Sequence, residues 1–179
     1  MIRQIPWNEW STWNPGAIME TAATKLPWVP MEEMSFADAL WSQEGMGIYV
    51  FHNRYYDPIY IGKVSARSFL ERISGHLDTH LHKGGGHTGW FNTFHQRWCE
   101  YYNDADSSAK TRYLAHVGFF TLEVPVEKKD SIQSLEKMLL HHYDPALNKK
   151  TSIGKSSKFK PLLESYDLTV AEISEGVLA

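Results

Sequence analysis

Cysteine is all but missing from this chain. Cys99 stands alone among 179 residues, so no intrachain disulfide can form and a disulfide-stapled secreted scaffold is excluded. Long apolar runs are missing too: none approaches the ~18 residues that a membrane-spanning helix needs. The opening stretch Met1-Ile2-Arg3-Gln4-Ile5-Pro6-Trp7-Asn8-Glu9-Trp10 has neither the basic head nor the apolar segment of a signal peptide. The expectation is a cytoplasmic protein that does not insert into membranes. There is no internal repeat and no low-complexity tract, which sets aside solenoids and prion-like chains.

A basic excess is also lacking, since the chain carries a net charge of −3. That sum conceals a division. Residues 1–44 hold two basic and six acidic side chains, and residues 161–179 hold four acidic and no basic ones. The middle, 45–160, is left with 16 basic against 11 acidic groups, a net +5. A local basic surface can attract phosphate while acidic ends keep the total negative.

What is abundant is aromatic: 13% of residues, with seven Trp. Trp7, Trp10, Trp13, Trp28 and Trp41 fall in the first 44 residues among Pro6, Pro15, Pro27 and Pro30. They read as an irregular extension wrapped on a body, with a short helix near Met31–Trp41. The length suits one domain, and the expected organisation is an N-terminal Trp- and Pro-rich extension, 1–44; a central domain, 45–150; and a basic segment with an acidic tail, 151–179.

Gly47–His52 and Ile59–Gly62 are rich in β-branched and aromatic residues and flank the turn-forming Asn53–Pro58, which predicts a β-hairpin. Ser65 is placed to cap a helix whose apolar positions are Ala66, Phe69, Leu70, Ile73 and Leu77. A second helix is expected over Trp90–Tyr102 and a third strand over Tyr113–Val124. Asp130 is placed to cap a last helix with the stripe Ile132, Leu135, Met138 and Leu139, ending before Pro145. Arg72 and His76, four residues apart, share a face of the first helix and flank its stripe. Glu136 has the same relation to the stripe of the last helix, so all three are expected at the rim of the core.

Gly47-Ile48-Tyr49 and Tyr60-Ile61-Gly62 on the two hairpin strands, followed in order by Arg72, His76, Glu136, Pro145 and Asn148, resemble the motifs of the GIY-YIG nuclease family over roughly residues 45–150. Either tripeptide alone would be a weak signal; the ordered set is a strong one. The fold this resemblance implies is α+β, a small three-stranded antiparallel sheet flanked by helices. The activity it implies is divalent-metal-dependent DNA endonuclease, in a restriction, mobile-element or phage-type role. The alternative is a non-cutting nucleic-acid-binding module on the same fold.

The resemblance also implies roles. Glu136 would hold Mg2+ or Mn2+, a hard cation that suits one carboxylate with water and phosphate completing its shell. Arg72 would stabilise charge on the transition-state phosphate with its planar fork. Tyr49 would take a proton from the attacking water, and since a free phenol has a pKa of about 10, it needs a cationic neighbour, for which Lys63 is a candidate. Tyr60 and His76 would orient the water or phosphate, and Asn148 would brace the site. All are expected around one hollow. Double-strand cleavage would require a homodimer or sequential nicking.

Two further features have weaker chemistry. His80, His82, His87 and His95 around Gly84-Gly85-Gly86 match no standard zinc spacing and read as a solvent-facing loop. The basic run Lys149, Lys150, Lys155, Lys158 and Lys160 is either a DNA contact or a solvated tail.

Overall fold

The hairpin forms where β-propensity peaks. In the computed structural model, which describes residues 3–10, 15–34, 45–66, 68–77 and 114–148, strand β2 spans Gly47–His52 and β3 spans Pro58–Val64. They pair antiparallel, with Tyr49 opposite Gly62 and a bulge between Phe51 and His52. Strand β4, Gly118–Glu123, pairs antiparallel on the other side of β2. A short strand β1, Gln4–Ile5, adds parallel to β4. The protein is therefore α+β with a four-stranded mixed sheet in the order β1-β4-β2-β3.

The expected three-stranded antiparallel sheet is corrected by one strand. Two residues carry too little periodicity to announce β1; β4's free edge recruits it, and the Arg3 carbonyl accepts the Thr121 amide at 2.9 Å. The N-terminal segment also holds two helices: α1 is Trp7–Trp10 and α2 is Pro15–Lys25, with proline at the first helical position, where its missing N–H costs nothing, and residues 26–30 are irregular. The helix expected near Met31–Trp41 is a 3-10 turn at Met31–Glu33, and 35–44 lie outside the described residues.

Other boundaries move for local reasons. Helix α3 runs Phe69–Leu77 and is capped by Ser68, not Ser65: the Ser68 Oγ accepts the Glu71 N–H at 3.1 Å. Residues 114–116 are helical, so β4 starts later than Tyr113. Asp130 lies within a 3-10 segment, Val126–Ser131, that leads into α4, Ile132–Tyr143. Asp144 ends α4 in the left-handed region, at φ 46°, just ahead of Pro145. A 3-10 turn follows at Ala146–Asn148.

Strand alternation splits the core. One face of the sheet presents Ile48, Val50, Ile61, Phe120 and Leu122, which pack with Ile5, Trp10, Ile18, Met19 and Ala22 of the N-terminal elements and with Ile132 and Leu139 of α4. The other face presents Tyr49, Phe51, Tyr60, Val64 and Phe119, covered by Met31 and by Phe69 and Ile73 of α3. The N-terminal segment thus belongs to the same core as the hairpin. Trp10 is buried and its indole N–H donates to the Glu123 carbonyl at 2.7 Å. Met138, expected in the stripe of α4, is exposed instead: the packed positions are Ile132, Leu135, Leu139, Leu140 and Tyr143, which leave Met138 outside the stripe.

Candidate functional site

Two glycines decide whether the hairpin can carry its tyrosines. Gly47 has φ +144°, and a Cβ there would lie 2.1 Å from the Leu122 carbonyl oxygen. At Gly62 a Cβ would lie 2.2 Å from Cζ and the hydroxyl of Tyr49. The Tyr49 side chain therefore lies across the cross-strand position directly opposite, over bare backbone. Gly62, the last residue of the second motif, provides this clearance.

The phenol meets three groups. The Tyr49 hydroxyl and His76 Nε2 are 2.7 Å apart, and both residues are buried. Tyr60 and the Arg72 guanidinium are close enough to that phenol to act on its charge. The rings form a wall: Tyr49 and Tyr60 stack with centroids 6.1 Å apart, and His76 meets Tyr60 edge-on at 5.1 Å. Phe51 closes the wall, edge-on to His76 at 5.5 Å. No motif pointed to Phe51; its place two residues beyond Tyr49 on β2, hence on the same face, was the available signal.

His76 was expected at the rim, yet it is only 1% exposed. It lies seven residues after Phe69 and three after Ile73, on the face that packs against the sheet. Arg72, one residue before Ile73, is partly buried. Burial pushes the Tyr49 phenol well above its usual pKa, Tyr60 adds to this, and the Arg72 guanidinium pulls partly the other way. The phenol is thus neutral at pH 7 and its hydrogen-bonding proton has a ring nitrogen beside it.

Glu136 and Lys63 form a second group. Lys63 Nζ donates to Glu136 Oε2 at 2.7 Å, with the two side chains 32% and 17% exposed. Glu136 was expected at the rim of α4, but it follows Ile132 by four residues and precedes Leu139 by three, so it sits on the packed stripe. Lys63 pairs with Ile48 and so belongs to the aliphatic face, whereas Gly62 pairs with Tyr49 on the aromatic face. Six of the seven expected site residues therefore fall into two groups, Tyr49, Tyr60, Arg72 and His76 on the aromatic face and Lys63 with Glu136 on the aliphatic one, meeting at consecutive residues Gly62 and Lys63. The cation beside Tyr49 is Arg72, and the Lys63 ammonium is engaged by Glu136.

Asn148 braces β3 from its edge. Its Nδ2 donates to the Ile61 carbonyl at 2.6 Å and its Oδ1 accepts the Ile61 amide at 2.8 Å. One side chain thus stands in for a neighbouring strand and satisfies both outward backbone groups between the two site residues Tyr60 and Gly62.

Among the described residues, no cluster of three or more His, Cys, Asp or Glu is assembled. The single carboxylate of Glu136 fits a hard cation that keeps most of its water, and does not fit a protein-caged ion. The histidines at 80, 82, 87 and 95, the helix expected at 90–102 and the basic run 149–160 lie outside the described residues. No helix among the described residues is long and apolar enough to cross a membrane. Comparison with known proteins found no matching family model, no matching curated protein and no matching solved structure.

Proposed function

We propose that this protein is a divalent-metal-dependent DNA endonuclease of the GIY-YIG type. The observation that carries the reading is the gathering of Tyr60, Arg72 and His76 around the Tyr49 phenol, with 2.7 Å between that oxygen and His76 Nε2. Two strands and one helix supply these four side chains, and their nearness to one another supports the reading.

The chemistry follows from the contacts. Burial disfavours a standing phenolate at Tyr49, so the phenol works as a relay: it accepts a proton from the attacking water as its own proton passes to Nε2 of His76. Water's oxygen then bonds to phosphorus, the bond to the leaving alkoxide breaks, and the proton rests on the imidazole. Arg72 lowers the cost of negative charge on the relay and on the phosphate, because its guanidinium is a planar cation whose fork matches phosphate oxygens. Gly62 holds the relay in register by leaving room for it. Glu136 is the residue that would hold Mg2+ or Mn2+, which when bound supplies charge neutralisation at the phosphate or leaving oxygen.

Supercoiled plasmid incubated with protein and Mg2+ is the test. Nicked or linear product is expected from the wild type, none from Glu136→Gln, and a loss on the order of 10²-fold or more in rate from Arg72→Ala. The full burial of Tyr49 favours a second reading, a module of the same fold that binds nucleic acid without cutting. Intact supercoiled DNA together with retained binding would select that reading.

A further inference from the structure

Glu136 is already neutralised. Its carboxylate oxygen accepts from the Lys63 ammonium at 2.7 Å, on the packed stripe of α4, where the acid is 17% exposed. A cation arriving at this oxygen meets another cation in the same place. The carboxylate has a second oxygen, but an ammonium at 2.7 Å would repel a divalent ion bound beside it strongly in a partly dehydrated setting.

We infer that Lys63 is an exchangeable counter-ion for Glu136: it occupies the carboxylate until a divalent cation displaces it. The inference rests on the proposed reading of Glu136 as the metal-holding residue. The side chains make the exchange feasible. Lys63 ends in a compact ammonium on a flexible four-carbon stem, so it can leave one oxygen and find solvent or phosphate without moving the backbone. It is 32% exposed and sits on β3, the edge strand of the sheet formed by the described residues. The Glu136 side chain stays where α4 holds it, four residues after the buried Ile132. In the exchange one Nζ–H···O bond is broken and one metal–oxygen bond is formed, with no change of covalent structure. Lys63 positions the acid for the metal and keeps it from sitting uncompensated against the core in the metal's absence. It is thus a positioning residue for Glu136, distinct from the Tyr49 relay on the other face.

Two substitutions push the exchange in opposite directions. Lys63→Met removes the competitor and should bind Mn2+ about five-fold tighter than wild type, the scale of a partly exposed ion pair. Lys63→Arg offers a planar, bidentate fork that grips a carboxylate harder, and should bind Mn2+ more weakly than wild type. Glu136→Gln should abolish binding at this site. The measurement is a Mn2+ titration of each full-length protein followed by electron paramagnetic resonance, with melting curves in chelator to confirm folding and plasmid nicking run in parallel. The order Met tighter than Lys tighter than Arg supports the exchange. Equal affinities, the reverse order, undiminished binding by Glu136→Gln or no binding by any variant overturns it. If the order holds but wild type does not nick DNA, the exchange stands and the nuclease reading falls; nicking with Lys63-independent affinity gives the converse. Should Lys63→Met fail to fold, the arginine variant still decides the sign.

Discussion

The two faces of one sheet each bury a histidine, and the two histidines have different surroundings. On the aliphatic face, His52 stacks on Tyr56 at 4.4 Å and donates Nδ1–H to the Asn53 carbonyl at 2.8 Å, while its buried Nε2 has no hydrogen-bond partner. Burial, aided by the nearby Arg3 guanidinium, drives its pKa down to about 3. On the aromatic face, His76 points its Nε2 at a phenol 2.7 Å away. The first is a neutral aromatic plate with a single anchor. The second has a proton partner, and a guanidinium shares that partner. Burial alone therefore does not mark a histidine as functional; what counts is whether it has a titratable group to exchange with. The aliphatic face, which also receives Trp10 and the N-terminal helices, carries stability along with the Lys63–Glu136 pair, and the aromatic face carries the proposed proton relay.

The sharpest way to break this division is to wound the aliphatic face. Trp10→Ala removes a large buried ring and its bond to the Glu123 carbonyl, and should cost about 3–5 kcal/mol in chemical denaturation. Nicking per folded molecule, measured at low temperature, should remain near the wild-type rate. Loss of nicking in molecules that are still folded would show that the faces are not separable.

Next in size is the converse wound. Gly62→Ala places a methyl where the Tyr49 ring now lies, 2.2 Å from Cζ, so the phenol has to move by more than an ångström. A misplacement of that size should lower the nicking rate on the order of 10²-fold. The melting temperature should fall less than for Trp10→Ala, because β3 is an edge strand. Full activity in Gly62→Ala would remove Tyr49 from the relay.

The smallest effect per step is the pH dependence written by His52. Its folded pKa is depressed to about 3 from an unfolded value of 6.5, so the unfolded chain binds the extra proton between these limits. Stability is therefore complete above pH 6.5 and falls as the pH drops toward 3, by up to about 1.4 kcal/mol per pH unit. His52→Phe, which keeps the stack on Tyr56, should flatten that slope between pH 6 and 4 in melting curves. A slope unchanged by the substitution would place the acid sensitivity elsewhere.

Much of the central architecture was legible in the chain. The β2–β3 hairpin was readable because alternating aromatic and β-branched residues bracket a turn-rich segment, and α4 because Ile132, Leu135 and Leu139 keep helical spacing. Tyr49 and the three groups around it were readable as an ordered set of residue types. Other features were not. Strand β1 has only two residues, and its partner lies more than a hundred positions away, so no local pattern encodes it. Ser65 and Ser68 both precede the helix, and only backbone geometry chooses which hydroxyl meets the Glu71 amide. The expectation that Lys63 would serve Tyr49 came from adjacency to Gly62, and adjacency in a strand means opposite faces.

By itself the sequence determined the local elements and the inventory: the hairpin, the two motif glycines, and which side chains could move protons or hold phosphate. These depend on propensity and on steric limits within a few residues of each position. Tertiary structure decided the partners: Arg72 and His76 to Tyr49, Lys63 to Glu136, Asn148 to Ile61, and the N-terminal segment to β4. Such pairings depend on which faces come together after helices and strands pack, a long-range outcome that no short stretch of the chain specifies.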